Sequence, residues 1–140
     1  MIVVDTNLIS YLFLTSPHST QAEQIFLKDP EWAAPILWRS ELRNVLATYL
    51  HNKILTLDEA YQIMDEAAHM MRGREYEVSS LPVLYLANSS PCSAYDCEFV
   101  ALAKDLDVTL VTIDRQILRY YPDTAVGFNG FLSDEQSTKA

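Results

Sequence analysis

Four carboxylates stand where chemistry is possible: Asp5, Glu41, Asp96 and Asp114. Asp5 closes the run Ile2-Val3-Val4, three apolar residues without polar alternation, which reads as a buried parallel strand. Asp5-Thr6-Asn7 then marks the C-terminal end of that strand, where open α/β sheets place their ligand sites. Carboxylates drawn together repel, and each resists ionising unless a cation neutralises it. Mg²⁺ or Mn²⁺ does so with oxygen ligands while keeping several waters. One or two such ions can activate water and stabilise the charge on a phosphoryl group. Thr6, Asn7 and Thr112 are candidates for orienting carboxylates or waters. A plainer reading competes. Asp5, Asp96 and Asp114 each fall at or near an expected helix start, where unpaired N–H groups and the dipole favour acids. Thr6 too can simply cap, and Glu41 can simply be solvated. Singly, the structural reading is the stronger for each; for the set, position alone leaves the two level. His18, His51 and His69 are scattered and read as surface residues. No GxxxxGK[ST], HExxH or GxSxG pattern occurs, so nucleotide-loop, zinc-protease and serine-hydrolase chemistry has no motif here.

The elements that must position these residues alternate between strand and helix. After Asp5, residues 6–13 can form a short helix, and Pro17 suits the first turn of a second one to about Lys28, with Ala22, Ile25 and Phe26 inside. Trp32-Ala33-Ala34 is a short strand. From Ile36 to about Asn52, Trp38, Leu42, Val45, Leu46 and Tyr49 fall on one helical face. Glu41 lies roughly 60° from Trp38 at about 100° per residue, so it flanks the apolar stripe and can reach a cleft at the core's edge. Thr56-Leu57-Asp58-Glu59 reads as a capping box opening a helix to about Met71, with Tyr61, Met64, Ala67, Ala68 and Met71 inside. Residues 75–78 suggest a short strand, and 80–86 a helix with Pro82 in its first turn. Ser93 begins a strong helix to about Leu106, with Tyr95, Phe99, Val100, Leu102, Ala103 and Leu106 at its apolar positions. Ser93-x-x-Asp96 resembles a capping box. Residues 108–112 form a strand, 115–121 a short helix, and 124–128 a possible last strand. The alternation argues for a parallel sheet covered on both faces. Right-handed crossovers then bring the strand C-termini, with Asp5 and Asp114, to one edge.

At 140 residues the chain reads as one domain over residues 1–130, followed by a polar tail over 131–140 that frays from Ser133 on. Apolar residues make up 49% and charged residues 21%, an ordinary globular composition. No apolar run approaches the roughly 20 residues of a membrane span, and the N-terminal run is too short for a secretory signal. The chain reads as cytoplasmic, with Cys92 and Cys97 reduced and structural. Ten basic residues against nineteen acidic give a net charge of −9, unusual for a nucleic-acid binder. Either the acids gather at a divalent-cation site, or a basic partner covers them.

The sequence resembles the PIN domain family and, within it, the VapC-type toxins of toxin–antitoxin pairs. The resemblance runs from Met1 to about Phe128. It rests on Val3-Val4-Asp5-Thr6-Asn7, on the stretch from Ser40 through Glu41 to Leu46, on Ser93-Ala94-Tyr95-Asp96 and the helix after it to Ala103, and on Leu110-Val111-Thr112-Ile113-Asp114. It implies a three-layer α/β/α sandwich with a central, mainly parallel sheet. It implies an endoribonuclease dependent on Mg²⁺ or Mn²⁺, with the family's acids falling on Asp5, Glu41, Asp96 and Asp114 and its hydroxyl on Thr6. A homodimer and an antitoxin partner follow from the same resemblance. Cys97 stands where the family mostly has alanine, and residues 130–140 have no clear counterpart. RNA affinity is left to the metals and to nearby cations such as Arg39, Arg43, Lys104, Arg115 and Arg119. The main alternative is a PIN-fold binding module without nuclease activity; loss of an acid would favour it, and none is lost. A phosphoacceptor receiver domain would need an acidic pair after the first strand, and an aspartate-based phosphatase a second aspartate where Asn7 stands.

Overall fold

The computed structural model of the chain describes residues 1–133. In order, β1 (Ile2–Val4), α1 (Thr6–Phe13), α2 (Ser19–Lys28) and β2 (Trp32–Pro35) lead to α3 (Trp38–His51) and α4 (Leu57–Met71). Then come β3 (Glu75–Tyr76), α5 (Ser80–Asn88), α6 (Ala94–Leu106), β4 (Leu110–Val111), α7 (Arg115–Tyr120), β5 (Ala125–Val126) and α8 (Phe128–Ser133).

The five strands form one sheet in the order β3-β2-β1-β4-β5, every pair parallel. Its centre is β1, where Val3 pairs with Ala33 on one side and Leu110 on the other. All of β1 is buried, as an apolar run without alternation requires. From β1 the chain steps outward to β2 and β3, then returns past β1 for β4 and β5. Right-handed crossovers make that reversal place α1 to α4 on one face and α5 to α7 on the other. The packing agrees: α6 lies against β1, β2 and β4 with α5 outside it, while α4 meets β2, α1 and α3. The fold is therefore a three-layer α/β/α sandwich with the acids' two strands, β1 and β4, side by side at the reversal.

Helix entries follow the expected caps. Thr56 accepts a hydrogen bond from the Glu59 N–H at 3.2 Å, and the Glu59 carboxylate accepts from the Thr56 N–H at 2.9 Å, completing the capping box. Thr56→Ala is expected to cost about 1 kcal/mol. That lowers the melting temperature by about 3 °C. A thermal melt checks it, with no change expected at the cleft described below.

The structure departs from the sequence reading at several places. The strand expected over 108–112 narrows to Leu110 and Val111, with inter-strand bonds reaching Thr109 and Thr112, because Val108 N–H turns back to the Ala103 carbonyl at 3.0 Å as the chain leaves α6. The strand expected over 75–78 pairs through only two residues at the sheet's edge, where a short strand limits edge-to-edge association. The possible last strand over 124–128 ends at Val126, and Phe128 opens α8 instead. Phe128 and Phe131, three apart on that helix, are buried, and α8 packs on α2. A Cβ on Gly130 would meet Val126 Cγ2 at 2.9 Å, so the absence of a side chain there permits the helix's close approach. Residues 131–133 of the expected tail therefore belong to a packed helix, and 134–140 lie outside the described residues. Tyr61, expected inside, is exposed, whereas Ala60 on the same helix is buried. Of the aromatic and methionine side chains on α3 and α4, Trp38 and Met71 are fully buried and Tyr49, Met64 and Met70 are partly so. Cys92 and Cys97 are both buried and free, as expected of structural thiols. Among the described residues, no helix is long and apolar enough to cross a membrane.

Candidate active site

Asp5 leaves the central strand at its C-terminal end and turns directly into α1. Its Oδ1 accepts the Leu8 N–H at 2.9 Å, so Asp5 is the N-cap of that helix. Its Oδ2 accepts the hydroxyl proton of Thr112, which arrives on the neighbouring strand end. Thr112 is 0% exposed, and its Oγ1 in turn accepts the Asp114 N–H at 3.0 Å. Asp114 caps α7 by accepting the Ile117 N–H at 2.9 Å. One hydroxyl thus ties together the two acids at the ends of β1 and β4. Because a capping carboxylate has further lone pairs, capping and a role in a site are compatible in Asp5 and Asp114.

Glu41 comes from the first turn of α3, beside the buried Trp38 and Leu42. Thr6 Oγ1 donates to Glu41 Oε1 at 2.7 Å, so the residue after Asp5 holds the second acid. Asp96 lies in the first turn of α6, whose cap is Ser93: the Asp96 N–H donates to Ser93 Oγ at 3.0 Å. As a crossover helix, α6 starts at the strands' C-terminal edge, which brings Asp96 over the same place.

The four acids and Thr6 line one cleft of about 610 Å³, which they share with Asn7, Ser40, Asn44 and Tyr95 among others. It opens at the C-terminal edge between β1 and β4, the switch point of the sheet, where open α/β folds bind ligands. The electrostatics are those of crowded, half-dry carboxylates. Burial lifts Asp5 from 3.8 to about 6, with Asp114 adding to the rise and the hydrogen bonds from Thr112 and Leu8 opposing it. Burial likewise raises Glu41, with Asp96 adding to the rise, and burial raises Asp96, with Asp114 adding.

Among the lining residues that had not been singled out for chemistry are Ser40, Asn44, Tyr95 and Phe99. Tyr95 had been assigned to the apolar face of α6 and is instead 63% exposed at the cleft, since the helix's first turn overhangs the sheet edge. None of Arg39, Arg43, Lys104, Arg115 or Arg119 lines it. Arg39 is engaged elsewhere, its Nη2 donating to Glu75 Oε2 at 2.8 Å. Among the described residues, no group of three or more His, Cys, Asp or Glu side chains is arranged to hold a metal ion by itself. A larger, more apolar groove of about 780 Å³ runs along α5 and α6, lined by Leu81, Tyr85 and Leu102 among others, and contains none of the four acids.

A parallel three-layer sandwich with acids gathered over its switch point defines a class of proteins, and comparison with known proteins places the chain within it. The PIN domain model matches residues 2–122, and the chain belongs to that family. It is 27% identical over 124 residues to Ribonuclease VapC3 of Pyrobaculum aerophilum, covering 86% of this chain and 95% of that protein. Two solved structures share the fold. PAE2754 from Pyrobaculum aerophilum superposes with a TM-score of 0.70 at 18% identity, covering 99% of this chain and 97% of that one. A toxin–antitoxin complex from Klebsiella pneumoniae gives 0.68 at 17% identity, covering 90% and 96%.

Proposed function

We propose that the chain is a divalent-metal-dependent endoribonuclease that hydrolyses RNA phosphodiester bonds, the toxin of a toxin–antitoxin pair. The observation that carries this reading is the cleft itself. Four carboxylates line it, no cationic side chain among the described residues does, and burial raises the proton affinity of three of them. Such a set favours a bound cation, and its donors are the hard oxygens that Mg²⁺ or Mn²⁺ takes. Lack of a closed three-ligand cluster is compatible with Mg²⁺, which keeps much of its water and needs only one or two carboxylates. Membership of the PIN family and likeness to a protein named a ribonuclease support the choice of RNA.

In this reading Asp5, Glu41, Asp96 and Asp114 hold Mg²⁺ or Mn²⁺, singly or in pairs. When bound, the ion supplies an activated water and stabilises charge on the phosphoryl oxygens and the leaving oxygen. The chain's own residues set the geometry. Thr112 fixes the Asp5 carboxylate against rotation and holds the Asp114 backbone. Thr6 holds Glu41 at 2.7 Å, facing the cleft. Thr6→Val removes a bond that lowers Glu41's proton affinity, so the glutamate's already raised pKa should climb further. About a 10-fold loss of kcat is expected from one freed positioning bond, in line with about 1–1.5 kcal/mol. Thr6→Ser should retain most of the activity.

An antitoxin partner and a homodimer belong to the same proposal, as does a cytoplasmic location. The Klebsiella pneumoniae neighbour is a toxin–antitoxin complex, and large apolar side chains stand exposed on α5 (Leu81, Leu84 and Tyr85). Light scattering on the purified chain, alone and with a co-expressed partner, reads both assemblies.

The test is incubation of the parent and Asp5→Asn with total cellular RNA, with Mn²⁺ or Mg²⁺ and with chelator. The reading expects metal-dependent fragments from the parent only. Fragments with 5′-phosphate and 3′-hydroxyl ends would place the attack on water. Fragments ending in a 2′,3′-cyclic phosphate, or formed equally in chelator, would contradict it. RNA left intact by both proteins, when a susceptible structured RNA is included, would favour the binding-module alternative.

A further inference from the structure

RNA is a polyanion, and the cleft proposed to cut it offers carboxylates and no lysine, arginine or histidine among the described residues. Side-chain cations therefore do not grip the phosphates there, and affinity must have another source. Besides the acids, uncharged side chains line the cleft: Leu37 and Val45 at α3, and Tyr95 and Phe99 on α6. Phe99 is buried, and Tyr95, four residues before it on the same face of α6, stands out with 63% of its surface exposed. Tyr95 immediately precedes Asp96 and so lies next to the site of the reaction. An exposed tyrosine is unremarkable by itself. An exposed aromatic ring lining an acidic cleft that lacks cations is a surface on which a base can stack.

We propose that Tyr95 is a stacking platform for a nucleobase adjacent to the scissile phosphate, a specificity-determining residue of the RNA-cleaving reading on which this inference rests. Stacking suits this cleft because it adds no charge and every base has a π-face. It also selects among RNA forms. Bases in an A-form duplex are already stacked and closed to the ring, whereas those of a single strand or loop can splay onto it. Because few phosphates are neutralised by side chains, this part of the binding should depend little on salt.

The test uses the full chain in the Asp5→Asn background with Mg²⁺, so that the RNA stays intact. Fluorescence anisotropy compares a labelled oligoadenylate decamer with a decamer of abasic ribose phosphate. The expected result is a preference for the base-bearing strand that falls about 10-fold in Tyr95→Ala and is kept in Tyr95→Phe. Melting temperatures should match, since the residue is exposed. A preference unchanged by Tyr95→Ala, or no preference for bases in the first place, overturns the proposal; the former would leave Tyr95 as a protein-contact residue. Metal-dependent cleavage of total cellular RNA, with a susceptible structured RNA included, by the chain with Asp5 intact is scored separately. Its absence counts against the nuclease reading, while the binding ratio still decides the role of Tyr95.

Discussion

Asp5→Asn is expected to abolish RNA cleavage and, in the metal-free protein at neutral pH, to raise the melting temperature. The loss of activity should reach about 10³-fold, since a ligand carboxylate supports several kcal/mol of charge stabilisation in the transition state. The gain in stability comes from the same burial. Asp5 titrates near 6 when folded and near 3.8 as a free side chain, so the folded state binds its proton more tightly than the unfolded state does. Its contribution to stability is present below pH 4 and is lost as pH rises through about 6. At neutral pH the buried charge costs up to about 3 kcal/mol. Asparagine carries no charge and can still accept the Leu8 N–H as a cap. The variant should therefore melt several degrees higher than the metal-free parent, at about 3 °C per kcal/mol. The difference should vanish near pH 4, and saturating Mg²⁺ should stabilise the parent more than the variant. Calorimetric melts between pH 4 and 8, with and without Mg²⁺, check each part. A variant less stable than the parent at pH 7, without metal, would show that the Asp5 charge is already compensated.

Thr112→Val is expected to move stability the other way while leaving all four acids in place. The two side chains have nearly the same shape, so the change removes a hydroxyl and little volume. Asp5 Oδ2 loses its donor, and the Asp114 N–H loses its acceptor. Each unpaired polar group costs about 1–3 kcal/mol, and the part-buried Asp114 N–H falls at the low end, so a destabilisation of about 2–4 kcal/mol is expected. That corresponds to a melting temperature lower by about 6–12 °C. Activity should fall with it, and the pH profile separates the causes. The Thr112 bond lowers Asp5's proton affinity, so without it Asp5 keeps its proton to higher pH and the acidic limb of the activity profile moves up. Thr112→Ser should restore both the limb and most of the stability. A variant that is less stable but keeps the parent's pH profile would make Thr112 a packing residue only.

The contrast between these variants shows what the sequence could and could not reveal. The apolar run before Asp5 and the alternation of strands and helices were enough to place Asp5 and Asp114 on one sheet edge. The wheel position of Glu41 beside Trp38 placed it at the border of the core, and it is half-buried there. Thr112 was legible as a candidate for orienting carboxylates, although its pairing with Asp5 spans 107 positions of chain and needed the parallel register of β1 and β4. Tyr95 was misread because its spacing to Phe99 is that of a buried stripe. Periodicity does not say where a helix outruns its sheet. Helix α8 was missed for a related reason: Gly127 and Gly130 look like breakers until α2 is present for Phe128 and Phe131 to pack on. The cations suggested as RNA contacts do not line the cleft, because sequence distance from the acids says nothing about which way they face. Arg39, two residues from Glu41, turns to Glu75.

The most direct measurement follows one RNA oligonucleotide containing a mapped cleavage site through three stages: with Mg²⁺, after chelation, and after Mg²⁺ is restored in excess. Parent and Asp5→Asn preparations are purified side by side. The account predicts cleavage by the parent that stops with chelator and resumes with metal, and none by the variant at any stage. Equal cleavage by the two proteins, or cleavage by the parent that chelation leaves unchanged, would contradict it.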